Sequence, residues 1–219
     1  MPEFDLVQKI AIWALPVLFA ITLHEVAHGW AALKLGDPTA KMLGRLSLNP
    51  IKHIDPMGTV VVPLVMLLLP GGFLFGWAKP VPVSYANLRN PKRDSALVAA
   101  AGPLANLAMA LLWALFIKLV PLIPGLTPGP MMGLTLMGQA GIVINVVLMV
   151  LNLLPLPPLD GGRVLMGLVP NNVGAQLARI EPYGFIILVG LLVTGVLGTI
   201  LSPAVFGIMQ AIAHVMAWF

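Results

Sequence analysis

The sequence contains no cysteine and few charged residues. The absence of cysteine from its 219 residues excludes disulfide bonds, thiol nucleophiles and thiolate metal sites. Charged side chains make up 9% of the chain, whereas about 25% is usual for a soluble domain. At the same time, 59% of the residues are hydrophobic. This composition excludes a soluble globular enzyme and a disordered protein, and it indicates a polytopic membrane protein.

The charges that are present give the chain a net charge of +4. The basic residues lie in segments between apolar runs, and they do not form one amphipathic face. In membrane proteins such residues set the orientation, because cytoplasmic loops are enriched in Lys and Arg. We therefore expect the chain to be embedded in a lipid bilayer and to have no nucleic-acid partner.

Long apolar runs predict the membrane-embedded segments, because a spanning helix needs about 20 apolar residues. We expect the last run to be broken at Ser202-Pro203, giving either one span plus a surface helix or two short spans. The expected fold class is all-α, with about five to six transmembrane or membrane-embedded helices. The runs cover residues 6–35, 95–117, 132–154 and 182–219.

A shorter apolar run, residues 59–75, is interrupted by Pro63 and by Pro70-Gly71-Gly72. The segments on either side of it, 34–52 and 79–93, hold four basic residues each. A run that crossed the membrane would put these segments on opposite sides, against the positive-inside rule. We therefore favour a re-entrant segment, with a crossing helix as the alternative. The N-terminus is then expected outside and both basic segments inside.

Two histidines and a glutamate lie within the first apolar run, as His24-Glu25-Val26-Ala27-His28. On a helix, residues four apart share a face, so both imidazoles can reach one metal ion. Glu25 is offset from that face, which suits a general base acting on a water that the metal activates. Each ionisable group inside a span costs roughly 2.5–3.5 kcal/mol on insertion scales. We therefore predict a metal site, with incidental histidines as the alternative.

A catalytic zinc ion takes three protein ligands and leaves one position for water. Asp160 follows a proline-rich break in an apolar run, and a broken span with an ionisable group indicates a polar cavity. We therefore favour Asp160 as the third ligand, with a helix-capping role as the alternative. The other candidates are expected at the surface or the membrane interface, and they are His53, His214, Asp37, Asp55, Asp94 and Glu181.

Three motifs make the chain resemble the site-2 protease family of intramembrane zinc metalloproteases (peptidase family M50). Residues 24–28 are similar to the family's HExxH motif, and residues 152–161 are similar to its N-x-x-P-x-P-x-L-D-G motif. The segment Ala101-Gly102-Pro103-Leu104-Ala105-Asn106 is similar to its GPxxN element. The resemblance extends from the first apolar run to about Arg163, and it is closest to compact members without PDZ or CBS domains.

The resemblance implies an intramembrane zinc metalloendopeptidase, which hydrolyses peptide bonds within or near the transmembrane helices of membrane proteins. It implies that His24, His28 and Asp160 bind one Zn²⁺ and that Glu25 activates the water. We accordingly expect transmembrane proteins as substrates. We also expect a multi-pass protein of a prokaryotic cell membrane, with its active site toward the cytoplasm.

The same resemblance implies that Asn106 and Asn152 hold the substrate backbone or the oxyanion. Spacing alone leaves it equally open that each asparagine bonds to a neighbouring helix. The resemblance also implies a strand-like segment between the first two core helices that pairs with the substrate. Residues 76–83 are the candidate, although their prolines restrict them to edge pairing.

Residues 1–219 are expected to form a single membrane-embedded metalloprotease domain, with a core at 6–163 and C-terminal helices at 182–219. Two other functions remain as alternatives: a membrane metal carrier or sensor that uses the same histidines, and a structural protein in which metal clamps helices. Glu25 favours the protease, because neither alternative needs a base that is not itself a ligand.

Overall fold

The computed structural model describes residues 5–62 and 76–218, and within them no residue belongs to a β-strand. The predicted all-α fold is therefore confirmed. The described residues form eight α-helices: α1 Leu6–Leu35, α2 Thr39–Met42, α3 Pro91–Leu119, α4 Pro128–Asn152, α5 Asp160–Leu168, α6 Asn171–Ala178, α7 Glu181–Val193 and α8 Val196–Trp218. Short 3₁₀ turns occupy Pro50–His53, Tyr85–Asn87 and Val120–Leu122, and a π-helical segment occupies Pro56–Val61.

Four of the described helices, α1, α3, α4 and α8, are long and apolar enough to cross a membrane. Helices α6 and α7 pass the same test together as a pair bent by 62°, which gives up to five spans. The chain is thus a multi-pass membrane protein. Of the predicted re-entrant run 59–75, residues 63–75 lie outside the described residues.

Local sequence signals fix both ends of α1. Asp5 caps its first turn, since the Asp5 Oδ1 accepts from the Gln8 backbone N–H at 2.7 Å. The Gln8 side chain accepts in return from the Asp5 N–H at 3.1 Å, which completes a capping box. Gly36 ends the helix with a φ of 117°, a left-handed conformation that glycine adopts without a steric penalty. These caps place His24 and His28 in the second half of a continuous helix.

The core of the molecule is a bundle in which α1, α3 and α4 pack pairwise against one another. Helix α5 packs on α3, and α8 packs on α4. Small residues at the contacts, such as Ala110 and Ala114, allow close helix approach, as is usual in membranes where packing replaces the hydrophobic effect. The bundle therefore brings α1, α3 and α4 together around the histidines.

The expected break at Ser202-Pro203 is wrong. The last apolar run breaks at Gly195, which has a φ of 76° between α7 and α8, whereas Pro203 lies inside α8. A proline is tolerated within a membrane helix because other groups can satisfy the freed backbone carbonyl. The break itself has a left-handed backbone conformation, which glycine adopts without a steric penalty. The chain therefore turns at Gly195 and not at the proline.

Residues 76–84 have no regular secondary structure, and several of them line cavities beside His24 and Glu25. Two of their backbone N–H groups are held by the loop after α1: Trp77 donates to the Gly58 carbonyl at 3.1 Å, and Lys79 donates to the His53 carbonyl at 2.9 Å. The strand-like segment predicted here thus forms no β-ladder with any described residue. It is anchored along one edge by loop carbonyls.

Candidate metal centre

His24 and His28 lie on one face of α1, one helical turn apart. Their Nε2 atoms are 3.0 Å apart. The Asp160 Oδ2 lies 3.2 Å from the His24 Nε2 and 3.3 Å from the His28 Nε2. These three side chains are the only group of three or more His, Cys, Asp or Glu residues, among residues 5–62 and 76–218, that could hold a metal ion.

Asp160 reaches the histidines because the chain folds back tightly after α4. It is the first residue of α5, and two glycines follow it. A Cβ on Gly161 would lie 2.3 Å from the Leu153 carbonyl oxygen, and one on Gly162 would lie 2.3 Å from the Pro157 nitrogen. No side chain fits at these distances. The two glycines therefore allow the first turn of α5 to pack closely against the proline-rich turn, and this packing places the Asp160 carboxylate beside the two histidines.

The Nδ1 atom of each imidazole faces an oxygen atom, and at His28 that partner fixes the tautomer. The His28 Nδ1 is 2.8 Å from the Val98 carbonyl oxygen, which can only accept. The His28 Nδ1 therefore carries the proton, and its Nε2 presents a lone pair toward Asp160. The His24 Nδ1 is 2.6 Å from the Asn106 Oδ1. Such partners orient histidine ligands in metal sites and make them more basic.

Helix α3 passes directly against both rings at Gly102. A Cβ at this position would lie 2.4 Å from the His28 Nε2 and 2.6 Å from the His24 Cε1. Only a hydrogen atom fits there. The glycine of the GPxxN element thus marks the point of closest approach between α3 and the histidines.

The donor set fits a zinc ion. In a tetrahedron with bonds of about 2.0–2.2 Å, ligand atoms lie roughly 3.3 Å apart, close to the three separations found here. The Asp160 Oδ2 is buried and accepts no hydrogen bond. A buried carboxylate oxygen without a donor is costly unless a cation binds it. A zinc ion held by these three side chains would keep one coordination position for water, as a catalytic site requires.

Glu25 lies beside the three side chains that could hold a metal ion, and it is not one of them. Its Oε2 accepts a hydrogen bond from the Val81 backbone N–H at 2.7 Å. Glu25 lines one cavity of about 440 Å³ together with His24, His28 and Asp160, and Pro80, Val81 and Val83 line it as well. The carboxylate is therefore placed where it can exchange a proton with a water or a substrate in the cavity.

The two predicted asparagines occupy different positions. Asn152 lines the same cavity as Glu25, and it also lines a neighbouring one of about 200 Å³ that extends to Trp77 and Leu188. Its side-chain amide donates to the Leu148 carbonyl at 3.0 Å. Asn106 is fully buried, lines neither cavity, and contacts His24. The structure thus places Asn152 where a substrate could reach it, and it places Asn106 behind His24, away from both cavities.

Several expectations about the other candidate ligands are wrong. His53 is buried, with 2% of its surface exposed. Its Nε2 donates a hydrogen bond to the Ser47 carbonyl at 2.8 Å inside the loop. Asp37 and Asp94 are buried as well, and their carboxylates accept hydrogen bonds from the backbone N–H groups of Ser84 and Asn90, respectively. None of these residues belongs to the metal-binding group, and neither does His214, which is exposed on α8.

One buried residue next to Asn106 was not predicted from the sequence. Asn145 on α4 is fully buried, and its Oδ1 accepts from the Asn106 Nδ2 at 2.9 Å. The signal was present, because an amide within an uncharged span needs a partner. What the sequence did not supply was the identity of that partner on α3.

Comparisons with known proteins agree with this geometry. The family model "Peptidase family M50" matches residues 128–195, which include Asn152 and Asp160. The chain is 41% identical over 188 residues to "Putative zinc metalloprotease YwhC" of Bacillus subtilis, covering 85% of this chain and 82% of that protein. No solved structure matches the chain.

Two longer relatives share the same description. The chain is 32% identical to "Putative zinc metalloprotease Rip2" of Mycolicibacterium smegmatis, covering 81% of this chain and 64% of that protein. It is 30% identical to the Rip2 of Mycobacterium tuberculosis H37Rv, covering 83% and 65%. The chain thus spans just under two thirds of the Rip2 proteins. Given its identity to YwhC and its matched family model, the chain belongs to peptidase family M50 and is a membrane-spanning zinc metalloprotease.

Proposed function

We propose that this chain is an intramembrane zinc endopeptidase, which hydrolyses peptide bonds within or near transmembrane helices of other membrane proteins in regulated intramembrane proteolysis. The observation that carries the proposal is the position of the metal-binding group. Both histidines lie on α1, a helix long and apolar enough to span the membrane, and they face a cavity together with Glu25. A protease that acted only on soluble proteins would have no need to place these groups within a span.

The depth of the site supports a substrate that comes from the membrane. His28 lies seven residues before the end of α1 at Leu35. At 1.5 Å per residue, this places the site roughly 10 Å in from the end of the helix. A substrate helix that ends or bends near that level could present its backbone to the cavity without leaving the bilayer.

The side chains would divide the chemistry as follows. His24, His28 and Asp160 would hold the zinc ion, which supplies Lewis acidity and lowers the pKa of water. Glu25 would take a proton from the attacking water and then deliver it to the leaving nitrogen as the peptide bond breaks. Asn152 would hold the substrate backbone within the cavity through its side-chain amide.

The proposal also predicts a preference among substrates. A helix must unwind locally before its amide can be attacked, and unpaired backbone groups in hydrocarbon cost several kcal/mol each. Residues 76–84 lie along the cavities and could pair with the unwound backbone, although Pro80 and Pro82 have no N–H to offer. Substrates whose spans contain Asn, Gly or Pro should therefore be cleaved faster than uniform poly-leucine spans.

The distribution of basic residues supports a site near the cytoplasmic face. All Lys and Arg residues except Lys9 and Lys118 lie at the end of the bundle where α1 ends and α3 and α5 begin. The positive-inside rule assigns that end to the cytoplasm. The metal-binding group lies at the same end, so the proposed active site opens toward the cytoplasm and the N-terminus is outside.

A cleavage assay with Glu25→Gln tests the proposal. Wild type and variant are reconstituted in liposomes with single-span proteins that carry either an Asn-Gly-containing span or a matched poly-leucine span. We expect cleavage within the Asn-Gly span by the wild type, about 10²–10⁴-fold slower cleavage by Glu25→Gln, and equal zinc content in both. Cleavage confined to soluble loops of these proteins would contradict the intramembrane reaction, and equal rates for the two enzymes would contradict the role of Glu25.

The geometry gives less support to a metal carrier or a structural metal clamp. A carrier needs successive ligand sets along a path, and residues 5–62 and 76–218 contain one group of three donors. A clamp needs a fourth protein ligand to close the coordination sphere. Glu25 is instead held by the Val81 N–H, beside the ligands, in an arrangement that suits hydrolysis.

A further inference from the structure

A chain of hydrogen bonds inside the bundle connects α4 to a proposed zinc ligand on α1. The Asn145 Nδ2 donates to the Gly141 carbonyl at 2.9 Å. The Asn145 Oδ1 accepts from the Asn106 Nδ2 at 2.9 Å, and the Asn106 Oδ1 is 2.6 Å from the His24 Nδ1. Three helices thus contribute to one continuous line of polar groups that ends at the imidazole.

The backbone determines the direction of every bond in this chain. The Gly141 carbonyl can only accept, so the NH₂ group of Asn145 faces it and the Asn145 oxygen faces Asn106. Asn106 must then donate, and its second N–H is used by the Ala20 carbonyl at 3.2 Å. The Asn106 oxygen is left to accept from the His24 Nδ1–H. Both amide orientations therefore follow from two backbone carbonyls.

Burial prevents water from replacing any member of the chain. Asn106 and Asn145 are both 0% exposed. In such surroundings an amide that loses its partner cannot be satisfied by solvent, and it will rotate or remain unpaired at a cost of about 1–3 kcal/mol. A flipped Asn106 would point its NH₂ group at the His24 Nδ1 and would favour the tautomer whose Nε2 carries the proton. That tautomer cannot bind a metal through Nε2.

We propose that Asn145 is a positioning residue of the metal centre, which acts with the Ala20 carbonyl to lock Asn106 in the one orientation that keeps the lone pair of the His24 Nε2 available to zinc. The two histidines differ in this respect. His28 is oriented directly by the Val98 backbone carbonyl, whereas His24 depends on two side chains in series. The inference rests on the zinc centre proposed above, and it adds to that centre a residue that lines neither cavity next to the metal-binding group.

Zinc affinity in matched variants tests the proposal. Asn145→Leu keeps the approximate size and removes both hydrogen bonds. Asn145→Asp, protonated within the bundle, can still donate to Gly141 and accept from Asn106. Val146→Ala is the packing control, because Val146 is the fully buried neighbour of Asn145 and belongs to the apolar core. The zinc dissociation constant of each purified variant is measured by competition with a chromophoric chelator.

We expect Asn145→Leu to bind zinc about 10–100-fold more weakly than the wild type, as is typical when a partner of a ligand is lost. Asn145→Asp and Val146→Ala should bind zinc as tightly as the wild type, although Val146→Ala should melt at a lower temperature. Wild-type affinity in Asn145→Leu would overturn the proposal, and so would equal weakening in Asn145→Leu and Val146→Ala.

A second variant and a parallel measurement on the wild type complete the test. If Asn145→Leu does not accumulate in the membrane, Asn145→Ser takes its place, since a serine hydroxyl is too short to reach Asn106, and the same tenfold or greater loss is expected. Zinc content of the wild type is measured in parallel. A wild type without zinc contradicts the metal centre itself, whereas a zinc-loaded wild type with an unaffected Asn145 variant contradicts only the positioning role.

Discussion

Replacing Gly102 with alanine adds a single methyl group directly against the two proposed histidine ligands. The new Cβ would lie 2.4 Å from the His28 Nε2 and 2.6 Å from the His24 Cε1, whereas ordinary contacts begin at 3.4 Å. One ring or the helix must therefore move by about 1 Å. Metal–ligand distances tolerate deviations of about 0.2 Å, so a movement of this size is incompatible with three ligands on one ion.

The same substitution should not weaken the helix. Alanine is favoured over glycine in a helix interior by about 1 kcal/mol, so a loss of zinc could not be attributed to poorer helix formation. Gly133→Ala on α4 is the matched control, because nothing lies within 4 Å of a Cβ built there. We expect Gly102→Ala to retain less than about a tenth of the wild-type zinc at equal free zinc, and Gly133→Ala to retain all of it.

The assay is zinc content by elemental mass spectrometry, with circular dichroism to establish that both variants remain helical. Full zinc occupancy in a helical Gly102→Ala variant would contradict the expected displacement of the histidine rings. It would mean that α3 does not lie against the histidine rings as the structure places it.

Two other variants test the position of Asn152 in the cavity and the lowered pKa of Asp37. Asn152→Leu should keep its zinc and lower the rate of peptide cleavage by about 10²-fold, because Asn152 lines the cavity and is not a ligand; a loss of zinc in this variant would contradict that assignment. Burial raises the pKa of Asp37, but hydrogen bonds from Thr39, Asn87 and Ser84 outweigh burial, and the pKa lies below its ordinary value of 3.8. A carboxyl group whose pKa is lower in the folded state than in the unfolded state stabilises the protein at a pH above the unfolded-state pKa. This stabilisation is lost as the pH falls through the folded-state pKa. Asp37→Asn should therefore cost about 1–3 kcal/mol at pH 7, and its melting temperature should approach that of the wild type in acid; a difference that is independent of pH would contradict this.

The metal-binding group could be predicted from the sequence because its signals are local and chemically costly. His24 and His28 are four residues apart, so helix geometry alone puts them on one face. Asp160 could be selected because an ionisable group after a proline-rich break in a span needs a reason to be there. The structure places these three side chains within 3.3 Å of one another.

The contacts between distant segments could not be predicted in the same way. His53 and Asp37 looked like surface residues because they have charged neighbours in sequence, yet the loops around them fold inward and supply backbone partners. The roles of Gly102 and Asn145 depend on which residues of α1 and α3 they meet. Helix packing sets those pairings, and periodicity within one helix does not report them.

The break in the last apolar run illustrates a competition between two local signals. Proline at 203 and glycine at 195 both predict an interruption. The structure keeps the helix through Pro203 and turns at Gly195, since only the glycine satisfies the left-handed conformation at that point. In a membrane helix, therefore, a proline is a weaker indication of a chain break than it is in a soluble one.

The zinc content of the purified wild type and of Asp160→Ala shows whether the two histidines and Asp160 bind one metal ion. Asp55→Ala serves as the control, because Asp55 is a loop carboxylate outside the metal-binding group. We expect about one zinc ion per chain in the wild type and in Asp55→Ala, and little zinc in Asp160→Ala. Stoichiometric zinc in Asp160→Ala would contradict the assignment of Asp160 as the third ligand, and with it the metal centre described here.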